Sequence, residues 1–221
     1  MRRSLLAVCA LSLTFALGAT ACSSGSTSST ASSTAPAAPR GYKPTPVRKT
    51  DTFSLPDYAT DPNGTSFPFK ASPGDLLVVY FGYLTCPDIC PVTMADLAAG
   101  LEEVGPSVAD HVEVAFATVD IERDTGARMM DYLTHFFPNS TKHALRATDS
   151  FQLYGVTYQF GAQWQVDPHE PGATTYGVAH SGLTYVVDDK GQLVWEWPFG
   201  TTGPEVAATL VQLMDTVYPK S

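Results

Sequence analysis

The chain has 221 residues, 44% of them apolar and 16% charged, with a formal net charge of −9. That length allows one domain of ordinary size plus appendages, and that apolar fraction supports a packed core and excludes wholesale disorder. No Lys/Arg run or basic stripe occurs, so the concentrated positive charge that binds nucleic-acid phosphates is missing and no nucleic-acid partner is expected.

In chain order, residues 1–21 read as an export leader: Arg2 and Arg3, then the apolar stretch "SLLAVCALSLTFALGA", then small residues before Cys22. The apolar stretch is short of the roughly 20 residues a membrane span needs. "Ala19-Thr20-Ala21-Cys22" resembles a bacterial lipobox, with Ala19 where Leu is usual. The resemblance implies removal of a signal peptide at 1–21, a lipid on Cys22, and a lipid-anchored place on the extracytoplasmic face of the cell membrane. The alternative is an ordinary secretory leader cut after Ala21, with Cys22 left as a free thiol. Loss of Arg2 and Arg3 with a leader that holds no Asp or Glu takes the charge from −9 to −11.

Residues 22–48 begin "CSSGSTSSTASSTAPAAPR", a Ser/Thr/Pro-rich composition with too little apolar surface to offset its ordering entropy. They read as a tether; about 25 flexible residues span roughly 25–30 Å, which keeps a domain at 49–221 near the membrane.

Within that domain "TDTFSLPDYATDPNGTSFPF" predicts a β-hairpin around "DPNG". "DLLVVYFGYL" is a continuous apolar run, as expected of a strand buried on both faces. After Pro91, "VTMADLAAGLEEVG" sets Met94, Leu97, Ala98 and Leu101 at helical spacing. "VEVAFATVD" predicts a second buried strand, "ARMMDYLTHFF" a second helix, and "DSFQLYGVTYQFGAQWQ" a third, less regular one. "HSGLTYVVDDKGQLVWEWPF" reads as a hairpin turning at "DDKG", and "GPEVAATLVQLMDTVY" as a closing amphipathic helix with Pro204 near its start. The order predicts an α/β fold, a mixed sheet covered on both sides, with a final antiparallel hairpin at one edge as in a thioredoxin-like sheet.

Of four cysteines, Cys9 leaves with the leader and Cys22 carries the lipid, so Cys86 and Cys90 are the folded part's one thiol pair. They follow the first buried strand, at the carboxyl end where sites of open α/β sheets lie. A helix N-terminus there predicts lowered thiol pKa values, and the i, i+4 spacing predicts both sulfurs on one side of the first turn, with Pro87 and Pro91 marking where loop gives way to helix. A purely structural disulfide is a weak reading, because closing so short a loop removes little chain entropy. A redox dithiol normally has the C-x-x-C spacing, one residue shorter than this pair. A metal site is the third reading: two soft thiolates select Cu(I) or Zn(II), structural zinc wants four ligands, and copper accepts two or three.

"YFGYLTCPDICPVTMADL", residues 80–97, resembles the copper-binding motif of the Sco/SenC family. "VDIERDT" at 119–125 is similar to that family's D-P-x-R-D-T segment, with Ile121 where Pro is usual. "AHSGLTYVVDDKGQLV" at 179–194 resembles its histidine strand, His180 matching the third copper ligand and Ala179 standing where Asp is frequent. The resemblance runs from about residue 50 to the C-terminus. It implies a thioredoxin-fold, membrane-tethered copper chaperone that holds Cu(I)/Cu(II) through Cys86, Cys90 and His180. Its partner would be the copper-binding subunit of cytochrome c oxidase, whose dinuclear centre it helps to assemble or whose cysteines it keeps reduced. In the oxidised form a Cys86–Cys90 disulfide would release the metal. The competing readings are a thiol–disulfide reductase or peroxidase-like enzyme using the same redox pair without metal, and a tethered redox sensor.

The other candidates are secondary. Among five histidines, His111, His135, His143, His169 and His180, the last stands out by preceding a strand-like run, and His169 in "DPHEPG" is the runner-up ligand. Met94 offers either a thioether or core packing, and Asp88 either steers a cation or caps the helix. Arg123 and Asp124 read as a surface ion pair. The resemblance makes Asp120 and Asp124 candidates for supporting the ligands. "WEWPF", Trp195 to Phe199, reads as packing or a docking face.

Overall fold

A computed structural model describes residues 36–219. The leader, Cys9, Cys22 and the first part of the tether lie outside the described residues.

Strands β1 (Ser54–Asp57) and β2 (Thr65–Pro68) form the expected hairpin. β3 (Leu76–Gly82) and β4 (Val112–Thr118) are buried at every position and pair in parallel. Between them run α1 (Ile89–Val104) and the short α2 (Pro106–Ala109). After α3 (Gly126–Phe136) comes β5 (Lys142–Leu145), parallel to β4. α4 (Ser150–Phe160) precedes a separate two-stranded ribbon, β6 (Trp164–Val166) and β7 (Val178–His180). β8 (Thr184–Val187) and β9 (Leu193–Trp197) make the final hairpin, and α5 (Gly203–Val217) closes the chain. The main sheet has the order β2-β1-β5-β4-β3-β8-β9.

Strand alternation sorts the core into two layers. Leu76, Val78 and Tyr80 pack against α1, α3 and α5 through Met94, Leu133 and Leu210. Leu77, Val79 and Phe81 face α4 through Leu153, Val156 and Phe160. This is the α/β, thioredoxin-like sheet covered on both sides that the residue pattern predicts.

The differences are local. α1 starts at Ile89 rather than after Pro91, which puts Cys90 inside its first turn. The third helix stops at Phe160, where Gly161 takes a left-handed conformation (φ 67°), and the "WQ" expected to continue it is strand β6. Strand β5 had no expectation, because four residues, "KHAL", carry too little periodicity to read. Before β1, the segment from Arg40 to Thr50 runs beside β9: Tyr42 bridges Glu196 and Lys49 bridges Gln192. Arg48 also pairs with the buried Glu196 carboxylate there.

Candidate metal centre

β3 delivers the chain to the site and Gly82 lets it turn close to the sulfur: a Cβ there would lie 2.9 Å from Cys90 Sγ. After a turn closed by the Cys86 N–H on the Tyr83 carbonyl (3.2 Å), Cys86 lies half-buried just before α1. Cys90 is buried in the helix's first turn and donates its backbone N–H toward Cys86 Sγ at 3.5 Å. Both thiols are free.

The third group comes from far along the chain. β7 ends at His180, whose Nε2 is 3.5 Å from Cys90 Sγ. Its Nδ1 lies 3.1 Å from the Ser181 carbonyl, an acceptor only, so Nδ1 carries the proton and the Nε2 lone pair faces the sulfur. Tyr80 and Tyr83 stand edge-on to the ring, at 5.9 and 5.6 Å between centroids. Burial lowers the His180 pKa and favours this neutral, ligating form.

One atom from each of Cys86, Cys90 and His180 lies within 4.8 Å of the others. Bonds of about 2.0–2.3 Å to a single ion place ligand atoms roughly 3.5–4.5 Å apart, so a slight closure would seat one. Among the described residues no further Cys, His or carboxylate joins this group. The donor set, two thiols and an imidazole, suits copper better than structural zinc.

The electrostatics differ from the expectation of helix-activated thiols. Burial pushes the Cys90 thiol up to about 12, with the Cys86 sulfur adding to the rise. Hydrogen bonds from the Tyr83 backbone and from the Tyr80 hydroxyl, 3.7 Å away, only partly offset it. Without metal Cys90 is a protonated thiol; a cation among the three groups reverses that preference by binding the thiolate.

The secondary candidates separate cleanly. Met94 is fully buried core between sheet and α1. Asp88 is exposed and makes no side-chain cap to α1. His169 does not join the sulfurs; it bonds Glu122 and the Asp167 carbonyl instead. Ala179 is exposed and, by strand alternation, on the opposite face of the ribbon from His180, so an Asp there would point away from the imidazole. The expected Arg123–Asp124 surface pair does not form: Arg123 pairs with Asp120, and Asp124 is fully buried, accepting from the Thr118 hydroxyl and the Leu84 N–H. A buried carboxylate that accepts from a backbone N–H and a buried hydroxyl cannot at the same time face solvent with its neighbour. Trp197 is buried, while Trp195 donates to the Arg40 carbonyl, which makes most of "WEWPF" packing.

One buried group escaped the sequence reading. His143, on β5, bridges Asp57 of β1 (2.7 Å) and Glu113 of β4 (3.0 Å). The three residues sit on adjacent strands and no spacing along the chain connects them, so only the unforeseen pairing of β5 would have found them.

The chain is 30% identical over 146 residues to an SCO2-like protein of Rickettsia felis, covering 66% of this chain and 69% of the relative. Among solved structures it is similar to ScoI of Bradyrhizobium japonicum with copper bound (29% identity, TM-score 0.59, covering 78% of this chain and 98% of that one). It is likewise similar to apo Sco1 of Thermus thermophilus (26% identity, TM-score 0.64, covering 78% and 95%). The SCO1/SenC family model matches residues 47–215, and with it the chain belongs to the SCO1/SenC family.

Proposed function

We propose that the protein is a membrane-anchored copper chaperone that carries one copper ion on Cys86, Cys90 and His180 and assists assembly of the dinuclear copper centre of cytochrome c oxidase. The observation that carries this reading is the convergence of two sulfurs and one neutral imidazole nitrogen within 4.8 Å, from segments 90 residues apart. A relative solved with copper bound supports the metal. Copper is the cargo: loading displaces the thiol protons of Cys86 and Cys90, and delivery to the copper-binding subunit of the oxidase returns them. The anchor is the lipid on Cys22, with the domain on the extracytoplasmic face; no helix among the described residues is long and apolar enough to cross a membrane.

Purified, reduced protein is expected to take up close to one equivalent of copper and to pass it to the copper-binding domain of an oxidase subunit. Cys86→Ala should abolish transfer. His180→Ala should cost more than about 100-fold in Cu(II) affinity, well beyond His169→Ala. Equal losses at the two histidines would reject the ligand assignment. Intact-mass measurement of membrane-extracted protein should show an acyl-modified Cys22, and an unmodified cysteine would remove the anchor.

A second reading, thiol–disulfide reduction, is favoured by the unequal burial of the pair. Half-exposed Cys86 is placed to attack a partner disulfide and form a mixed disulfide; Cys90 then attacks Cys86 and releases the partner as two thiols. Two electrons and two protons leave this protein, which ends as the Cys86–Cys90 disulfide. Enzyme-like disulfide reduction or peroxide consumption by copper-free protein would establish this reading in place of the first.

A further inference from the structure

The loop between β4 and α3, residues 119–125, supplies no ligand yet touches both halves of the cluster. Toward the cysteines, the fully buried Asp124 accepts the Leu84 N–H at 3.0 Å and the Thr118 hydroxyl at 2.6 Å on one oxygen. Leu84 stands two residues before Cys86, so this carboxylate pins the cysteine turn to the end of β4.

Toward the histidine, the buried Asp120 accepts the Tyr176 hydroxyl at 2.6 Å and the Arg123 Nε–H. Arg123 donates onward to the carbonyls of Thr174 (3.4 Å) and Tyr176 (3.3 Å). Its guanidinium lies 3.7 Å from the centre of the Tyr176 ring, and the His169 imidazole stacks at 3.7 Å and 9°. Two groups that close to one ring centre must occupy its opposite faces, so Tyr176 is held between them. His169 is itself fixed by Glu122 of the same loop. Tyr176 stands four residues before His180, at the entry to β7.

The ribbon needs such an anchor. Its strands are three residues each and, among the described residues, belong to no larger sheet, and an isolated two-stranded pair is at best marginally stable in water. We propose that the 119–125 loop is a brace that sets the distance between the cysteine turn and the histidine ribbon, with Arg123 and Tyr176 as positioning residues that hold His180 at the sulfurs. The inference rests on the copper reading of Cys86, Cys90 and His180. Its consequence is selective: two thiolates hold Cu(I) by themselves, whereas Cu(II) gains most from the imidazole. The brace therefore governs which oxidation state of copper is held tightly.

The test uses Tyr176→Phe, which keeps the stack and removes the hydroxyl, and Arg123→Met, which removes the whole fork. Amide hydrogen exchange of copper-free protein should quicken at residues 178–181 and stay unchanged in β3 and β4. Cu(II) affinity should fall about tenfold in Arg123→Met and less in Tyr176→Phe, with Cu(I) affinity within about twofold of the unsubstituted protein. Wild-type exchange at 178–181 together with wild-type Cu(II) affinity in both variants would overturn the brace. So would equal losses of Cu(I) and Cu(II) accompanied by faster exchange in β3, which marks general loosening. His180→Ala run alongside separates the two claims: full Cu(II) affinity there rejects the copper reading of His180, while the exchange data still judge the brace.

Discussion

A methyl group at position 82 would sit 2.7 Å from a Tyr80 ring carbon and 2.9 Å from Cys90 Sγ. Both neighbours are buried and neither can retreat freely. Gly82→Ala is therefore expected to destabilise the copper-free protein by about 1–3 kcal/mol, the usual cost of overpacking, and to weaken copper binding by displacing the Cys90 sulfur. Chemical denaturation and a copper titration of the same preparation check it, and an unchanged pair of values would mean that the turn has slack. At this scale the cysteine pair is legible because both members lie in one contiguous stretch. His180 stands out only by preceding a strand-like run and by resemblance, since Cys90, which it faces, is 90 residues away. The inward turn of Asp124 is invisible from sequence because the polar groups it satisfies, Leu84 N–H and Thr118 hydroxyl, belong to other segments.

α1, the helix that carries Cys90, meets α5 at two glycines. A Cβ on Gly100 would lie 2.6 Å from Val206, and one on Gly203 would lie 2.8 Å from Ala99. Gly100→Ala gains about 1 kcal/mol of helix propensity and loses more by forcing the helices apart, so a net fall of about 1–2 kcal/mol is expected. A higher melting temperature would show that propensity wins. The long buried strands β3 and β4 announce themselves as near-continuous apolar runs of seven residues, and the amphipathic helices by a period sustained over several turns. β5, β6 and β7 do not, because three or four residues carry no period and their pairing is decided by tertiary neighbours. The site was thus readable from its first half, and the ribbon that carries the second half was not.

Across the whole molecule, the charge at the partly buried His143, held between the buried carboxylates of Asp57 and Glu113, ties three strands together. Burial alone would lower its pKa, but the bonds to Asp57 and then Glu113 outweigh that and raise it to about 9, against 6.5 for the free side chain. Glu113 is correspondingly lowered, its burial offset by His143. A raised histidine pKa contributes stability that is complete below about 6.5 and is lost as the pH rises through about 9. Unfolding free energy should therefore drop by up to about 3 kcal/mol between about pH 6 and pH 9. His143→Gln should lower stability at the acidic end and flatten the profile; a profile as steep as that of the unsubstituted protein would place the titration elsewhere.

The segment from Arg40 to Thr50 has a consequence for the sheet's outer border. β9 is the last strand, and an uncovered last strand offers a row of unpaired donors and acceptors to any passing chain. The bridges at Tyr42 and Lys49, with Arg48 closing over Glu196, keep that row occupied. A version trimmed to begin after Thr50 would keep every candidate ligand, yet it would bare this border and strand the Glu196 carboxylate without its counter-ion. Its failing would be twofold, self-association through the bared border and a loss of stability from the unpaired Glu196 carboxylate, with the sulfurs and the imidazole untouched.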